Sequence, residues 1–382
     1  MLGLLIALAP PLFADATAQP VTELGSTSTT PDRTSETATR PKTISADPNG
    51  SDPDASQLCA DGQCPPVISP LTYFGHPAYR LTDQHCYAVV VPDLGRVMSY
   101  GVVGGRNWLW NAPTPKGLDV GGWTNYGGNK TWLGPQDEWI LFSGKAAWPP
   151  DKAFDGSAYD ATVLSGGHLV TTSPLGRGTG IRIAREYYFD TNGDFVIEQS
   201  ARKVAGPALR ASIWSITQTV PGDAYFLPVN PDSPYKEDFD FLVPGPGSAV
   251  QPLSSTLIRV NPLLGLAKGY KLGVDAPVCA IATVVGQTAF VEQAKMGAGN
   301  YPDGASNAGF PVEIYVNTDP VNGYVETELL SPMLLFSAGT RWKHTVRWSL
   351  HDLPSADLRT PEDAKALDGL LQAAAVNTRS AS

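Results

Sequence analysis

"GIRIAREYYFDTNGDFVIEQSARKV", residues 180–204, decides the fold. It holds two runs rich in β-branched and aromatic residues, joined through Asn192-Gly193. Asn-Gly is favoured in two-residue hairpin turns because both central positions need a positive φ. The stretch therefore predicts two antiparallel strands rather than a strand followed by a helix. Asp190, Asn192 and Asp194 imitate the opening of a calcium loop, but the glutamate such a loop needs downstream is missing, so a turn is expected and no metal.

Outward from this hairpin the same signature recurs. "YAVVVP", "GRVMSYGVVG", "GHLVTTS", "RASIWSITQTV", "SSTLIRV", "CAIATVVG", "TAFVEQAKM", "VEIYVN", "GYVETELLS" and "WKHTVRWSLHDL" are short, β-branched or aromatic, and bounded by Gly, Pro, Asn or Asp. With the hairpin this makes twelve candidate strands between Pro66 and Leu353 and hardly a helix among them. Parallel strands need long, usually helical crossovers, so the pattern predicts an all-β fold, a large antiparallel sandwich. One helix is expected after it. Thr360-Pro361-Glu362-Asp363 supplies a cap, a proline for the first turn and early acidic residues, and Leu367, Leu370, Leu371 and Ala374 follow on one face.

The ends of the 382-residue sequence read differently. Residues 1–18 have a short apolar run and close on Ala16-Thr17-Ala18, the pattern of a cleaved export signal, although no Lys or Arg precedes the run. The run is too short for a membrane-spanning helix. Residues 19–65 are rich in Ser, Thr and Pro with almost nothing to bury, as in a disordered linker. Residues 66–353 make the folded domain and residues 354–382 the helix and tail. The expectation is an exported protein, periplasmic or secreted, and monomeric.

Charge and cysteine narrow the function. A formal net charge of −10 without a Lys/Arg cluster excludes nucleic acid as the main partner. Cys59 and Cys64 flank a small polar loop suited to a short-range disulfide, while Cys86 and Cys279 lie in strand-like runs, either buried thiols or a second bridge. No phosphate-binding loop, dinucleotide fingerprint, nucleophile elbow or HExxH motif is present, and no cofactor is expected.

The segment "GGNKTWLGPQDEWILFSGKAAWPP", residues 127–150, carries Trp132, Trp139 and Trp148 among glycines, prolines and amides. It reads as loop. A sugar offers an apolar face and a rim of hydroxyls, which flat aromatic rings beside amides and carboxylates can bind. Asn129, Lys130, Trp132, Gln136, Trp139 and Trp148 are therefore candidate carbohydrate contacts. The alternatives are that the tryptophans staple their own loop and that Lys130 is a surface lysine.

The order "VVVPDLGRVMSYGVVGGRNWLW", "GGNKTWLGPQDEW" with "WPP" and "FDG" behind it, "IWSITQT", "VEIYVN" and "GYVETELLSPMLLFSAGTRWKHTVRWSL" resembles an exported bacterial family of the galactose mutarotase-like superfamily, related to aldose 1-epimerases. The resemblance spans about Pro66 to Leu353. It implies a large antiparallel β-supersandwich with a carbohydrate cleft on one sheet face. In active members a glutamate and a histidine exchange protons with the sugar.

Glu326 and Glu328 stand two apart in a strand and so share a face, making them the candidate acid/base groups. Where the epimerases carry their histidine, this chain has Trp214, Thr217 and Gln218 instead, of which Trp214 and Gln218 join the candidate contacts. His168, following two glycines at a strand start, is the remaining candidate for the acid. Tyr301 and Asp303, in a Tyr-Pro-Asp-Gly turn, complete the set. The sequence thus predicts an exported carbohydrate-binding protein. The alternatives are an aldose 1-epimerase-like or polysaccharide-processing enzyme and a non-catalytic protein of the cell envelope.

Overall fold

The computed structural model describes residues 66–143, 148–235, 238–304, 309–353 and 361–377. The predicted signal, the linker and the Cys59–Cys64 bridge lie outside them. The chain opens with β1 (Val67–Tyr73), β2 (His76–Thr82), β3 (Cys86–Val91) and β4 (Arg96–Val102). A ribbon of β5 (Leu118–Val120) and β6 (Trp123–Asn125) precedes β7 (Asn129–Gly134) and a short helix, α1 (Trp139–Ser143). Then come β8 (Asp160–Leu164), β9 (His168–Thr172), β10 (Ile181–Phe189), β11 (Phe195–Lys203), β12 (Leu209–Thr219), β13 (Ala224–Pro228) and β14 (Phe239–Val243). They are followed by β15 (Val250–Pro252), β16 (Leu257–Val260), β17 (Tyr270–Val274), β18 (Cys279–Val285) and β19 (Thr288–Ala294). The last are β20 (Val312–Asn317), β21 (Tyr324–Leu330), β22 (Leu334–Phe336), β23 (Arg341–Asp352) and α2 (Pro361–Asn377).

All twelve runs picked out by pattern are strands. The opening hairpin is β10–β11, paired from Ile181↔Lys203 to Phe189↔Phe195; its loop is residues 190–194 rather than a two-residue turn, and of Asn192 and Gly193 only the glycine, at φ 83°, has a positive φ. Two large sheets form. The first runs β1-β2-β3-β4-β7-β12-β21-β20-β17-β14, and the second β15-β16-β13-β18-β19-β23-β11-β10-β9-β8.

Their facing sides bury one core in which Tyr100 from the first sheet meets Phe195, Phe290 and Trp348 from the second, with ring centroids 5.2–5.8 Å apart. Cys86 and Cys279 are buried free thiols, not a disulfide. Leu367 and Leu371 of α2 pack with Phe226, Ala280 and Val291, so the helix covers the outer side of the second sheet.

Part of the space between the sheets is polar. Asn129 and Thr131 of β7, Thr217 of β12 and Thr327 of β21 point inward to Arg185, Gln199 and Glu292 of the second sheet. Glu292 accepts hydrogen bonds from both threonine hydroxyls, yet burial dominates and lifts its pKa from 4.5 to about 7. A carboxyl raised on folding stabilises fully below its unfolded pKa, and that stability is lost as pH rises through the folded value. Between pH 4.5 and 7, stability is expected to fall by up to about 1.4 kcal/mol per pH unit from this group. Urea titrations across that range, with Glu292→Gln removing the slope, check it; an unchanged slope in the variant contradicts it.

Candidate functional site

The outer side of the first sheet carries the chemistry. Residues paired directly across antiparallel strands share a face. Trp132↔Trp214 and Lys130↔Ile216 link β7 to β12. Trp214↔Leu330, Ile216↔Glu328 and Gln218↔Glu326 link β12 to β21. Glu313↔Glu328 and Tyr315↔Glu326 link β21 to β20, and Lys271↔Tyr315 adds β17. Five strands therefore set one patch of lysines, carboxylates and aromatic rings.

Two charged groupings occupy it. Lys130 Nζ lies 2.8 Å from Glu326 Oε1, and Gln218 Nε2 donates to the same oxygen at 2.9 Å. Lys130 is buried, 1% exposed, whereas the Glu326 side chain keeps 13%. Burial lowers the Lys130 pKa against the opposing pull of Glu326. Beside this pair, Lys271 Nζ lies 2.5 Å from Glu313 Oε2 and 2.9 Å from Glu328 Oε2, and 4.4 Å from the centre of the Trp214 ring. The Trp214 indole N–H donates to Glu328 Oε2 at 2.8 Å.

Burial raises the pKa of Glu313, Glu328 and Asp303 despite the nearby ammonium. Burial also opposes the charge on Lys271, but Glu313 and Glu328 together outweigh it and hold its pKa up. The second grouping is thus a buried cation shared by two carboxyls, with burial opposing the charge on each of the three.

Tryptophans cover one flank. Trp132 meets Trp123, Trp139 and Trp214 edge-to-face at 5.3–5.6 Å. Asp155 locks them: its Oδ2 accepts the indole N–H of Trp123 at 2.9 Å and of Trp132 at 2.8 Å, and its Oδ1 receives Arg96 Nη2 at 2.6 Å. Gly127 and Gly128, at φ 92° and 71°, turn the chain into β7; a Cβ on Gly127 would sit 2.1 Å from the Trp110 carbonyl oxygen. On the other flank of Glu326, Trp110, Tyr324 and Tyr315 form a second aromatic cluster. A mostly buried carboxylate, with 13% of its side chain exposed, thus lies between two aromatic groups. Gln218 Oε1, buried beside it, has no hydrogen-bond partner among the described residues.

The predicted residues divide accordingly. Lys130, Trp132, Trp214, Gln218, Glu326 and Glu328 come together, with Asp303 close to Lys271 and Glu313. Glu328 is 1% exposed and tied to Trp214 and Lys271, so only Glu326 of the pair reaches solvent. Asn129 is corrected: it faces the second sheet, donates to Thr217 Oγ1 at 2.9 Å and accepts from Arg185. His168 is corrected too, because the glycine turn before it closes a hairpin at the edge of the second sheet, where it pairs with Glu186 at 2.7 Å and stacks on Tyr188. Gln136 stands half-buried in the turn Gln136–Glu138 after β7.

The stretch read as loop is largely ordered secondary structure. Asn129–Gly134 is a strand buried throughout, and Trp132 and Trp139 are buried with it. Trp148 is partly buried against the same cluster, as is Tyr301, whose hydroxyl turns back to the Gly297 backbone. Lys130 is no surface lysine.

Sequence reasoning missed Lys271, Arg96, Trp123 and the role of Tyr315. The spacing of Glu313 and Tyr315 in "VEIYVN", two apart like Glu326 and Glu328, was the available signal. Behind Trp132, Trp139 and Trp148 lies a cavity of about 660 Å³ that none of the candidate carboxylates lines.

No family profile and no curated protein matches the chain. Solved structures do. The overall fold is similar to that of galactose mutarotase-like proteins. One from Lactobacillus casei has a TM-score of 0.49 at 11% identity and covers 72% of this chain and 100% of its own. A galactose mutarotase-related enzyme of Lactobacillus acidophilus gives 0.47 at 9%, over 73% of this chain and 98% of its own. A candidate mutarotase of Salmonella typhimurium gives 0.47 at 10%, over 75% and 94%. These values describe likeness in architecture, and the functional reading rests on the residues of the site.

Proposed function

We propose that this protein binds an uncharged carbohydrate on the outer face of the first sheet, at Glu326. One observation carries the reading. Glu326 lies between two aromatic clusters with Oε1 held by Lys130 and Gln218 and with 13% of its side chain reaching solvent. Sugar hydroxyls donate to a carboxylate that reaches solvent while the ring's C–H face packs on an aromatic ring.

The sugar's charge follows from the pairing. Lys130 is engaged by Glu326 and Lys271 by Glu313 and Glu328, so neither ammonium is free for a uronate. Anomer interconversion would also require a proton donor facing the base. His76 pairs with Asp93, His85 is exposed, His168 pairs with Glu186, His344 is buried against the Leu329 carbonyl and His351 meets Ser349. No histidine faces Glu326, so the glutamate–histidine exchange of the aldose 1-epimerases is not proposed, and binding is the proposed activity. The export-like residues 1–18 support a proposed place outside the cytoplasm, with the protein acting as a monomer.

Intrinsic tryptophan fluorescence, titrated with neutral hexoses, their oligomers and the matching uronates, tests the substrate class. Saturable binding of a neutral sugar is expected, with the uronate weaker by about tenfold or more. Gln218→Ala should weaken the neutral sugar by a similar factor. No saturable response from a folded protein, or equal binding of the uronate, contradicts the reading.

A further inference from the structure

We infer that the cavity behind the tryptophan cluster is a second ligand site, separate from the one at Glu326, for a small molecule with a flat apolar body and one anionic group. Its volume of about 660 Å³ is that of a small-molecule pocket. Trp132, Trp139, Trp148, Phe154, Leu175 and Arg177 are among the residues that line it.

Its indoles offer a ligand no N–H donor. The indole N–H of Trp132 is given to Asp155, that of Trp139 to the Leu133 carbonyl at 2.7 Å and that of Trp148 to the Val120 carbonyl at 3.0 Å. What remains of these side chains is aromatic carbon, against which a flat apolar ring packs. Trp139 and Trp148 lie nearly parallel, at 17°, with centroids 6.5 Å apart.

Charge defines the other end of the ligand. Arg177 and Lys152 line the cavity and are exposed, and neither makes an ion pair among the described residues. Asp151, which also lines the cavity, turns one oxygen back to the Ala153 N–H at 2.9 Å. The lining side chains therefore carry two cations against one carboxyl. A carboxylate or sulfonate can reach the guanidinium while its ring system lies against the indoles.

Anilinonaphthalene sulfonate has this chemistry, and N-phenylnaphthylamine is nearly the same ring system without the charge. Titrated into the full chain, the sulfonate is expected to show one saturable site with emission sensitised by tryptophan. Arg177→Glu should weaken it by about tenfold and leave the uncharged dye unaffected. Leu175→Trp, which fills the cavity, should weaken both dyes. Glu326→Ala, which removes the proposed sugar contact, should leave both dye isotherms in place, so that failure of either site is seen separately. Absence of saturable binding by protein with a native near-ultraviolet circular dichroism spectrum overturns the inference. Binding indifferent to both Arg177→Glu and Leu175→Trp overturns it equally.

Discussion

Asp155→Asn is expected to destabilise the sandwich by about 3–5 kcal/mol, the usual cost of breaking a buried ion pair from one side. The substitution keeps the volume and removes the charge. Arg96, whose side chain is 0% exposed, would then keep a buried positive charge whose carboxylate partner, itself 2% exposed, is gone. The amide also cannot serve all its neighbours. Asp155 accepts at both oxygens, from the Arg96 guanidinium on one and two indoles on the other, and an asparagine must turn its NH2 donor toward one of these donors. The expected readouts are a urea midpoint shifted far down and a changed tryptophan emission, because Trp123 and Trp132 lose their anchor together. A midpoint within experimental error of the wild type would show that the cluster stands without Asp155.

Lys271→Met is expected to be strongly pH-dependent. The lysine is the cation nearest to Glu313 and Glu328, whose pKa values burial has already raised. Removing it withdraws the attraction that opposes burial, and both folded-state values rise further. Groups with raised carboxyl pKa values stabilise below the unfolded pKa and lose that contribution as pH increases through the folded one. The variant should therefore lie near wild type at pH 4 and fall below it by about 3–5 kcal/mol at pH 8. Adding Glu313→Gln should recover part of the loss at pH 8, because one of the stranded carboxyls is gone. A deficit independent of pH would mean that the methionine fails for reasons of packing alone.

The parts of the fold that could be read in advance are those with local signals. Alternating β-branched and aromatic residues and an Asn-Gly turn lie within a few residues of each other, so β10, β11, β12 and β21 were visible. β7 was hidden. Its Asn-Lys-Thr-Trp-Leu-Gly run is polar on both faces, and the partners that make it a buried strand stand far away in sequence. Lys130 is bonded to Glu326, 196 residues on, and Thr131 to Gln199, 68 residues on.

The site was half legible for the same reason. Glu326 and Glu328 could be placed on one face because a strand alternates sides, but which of them reaches solvent depends on Trp214 and Lys271, supplied by other strands. Aromatic content alone could not tell a sugar platform from a packed cluster. Burial decides it, and Trp132, Trp139 and Trp214 are buried, with their N–H groups and that of Trp148 bonded within the protein.

Calorimetric titration of the wild type and of Glu326→Ala with the same neutral sugar tests the proposed binding site most directly. Glu326 keeps 13% of its side chain exposed, and Asp155 anchors the tryptophan N–H groups, but the buried Lys130 that Glu326 pairs sits 4.8 Å over the Trp132 ring, so the fold of the variant is checked by near-ultraviolet circular dichroism. The expected result is a one-to-one isotherm for the wild type, and none for a variant that remains folded. Superimposable isotherms would place the sugar elsewhere on the protein, and no heat from either would remove carbohydrate from this face of the sheet.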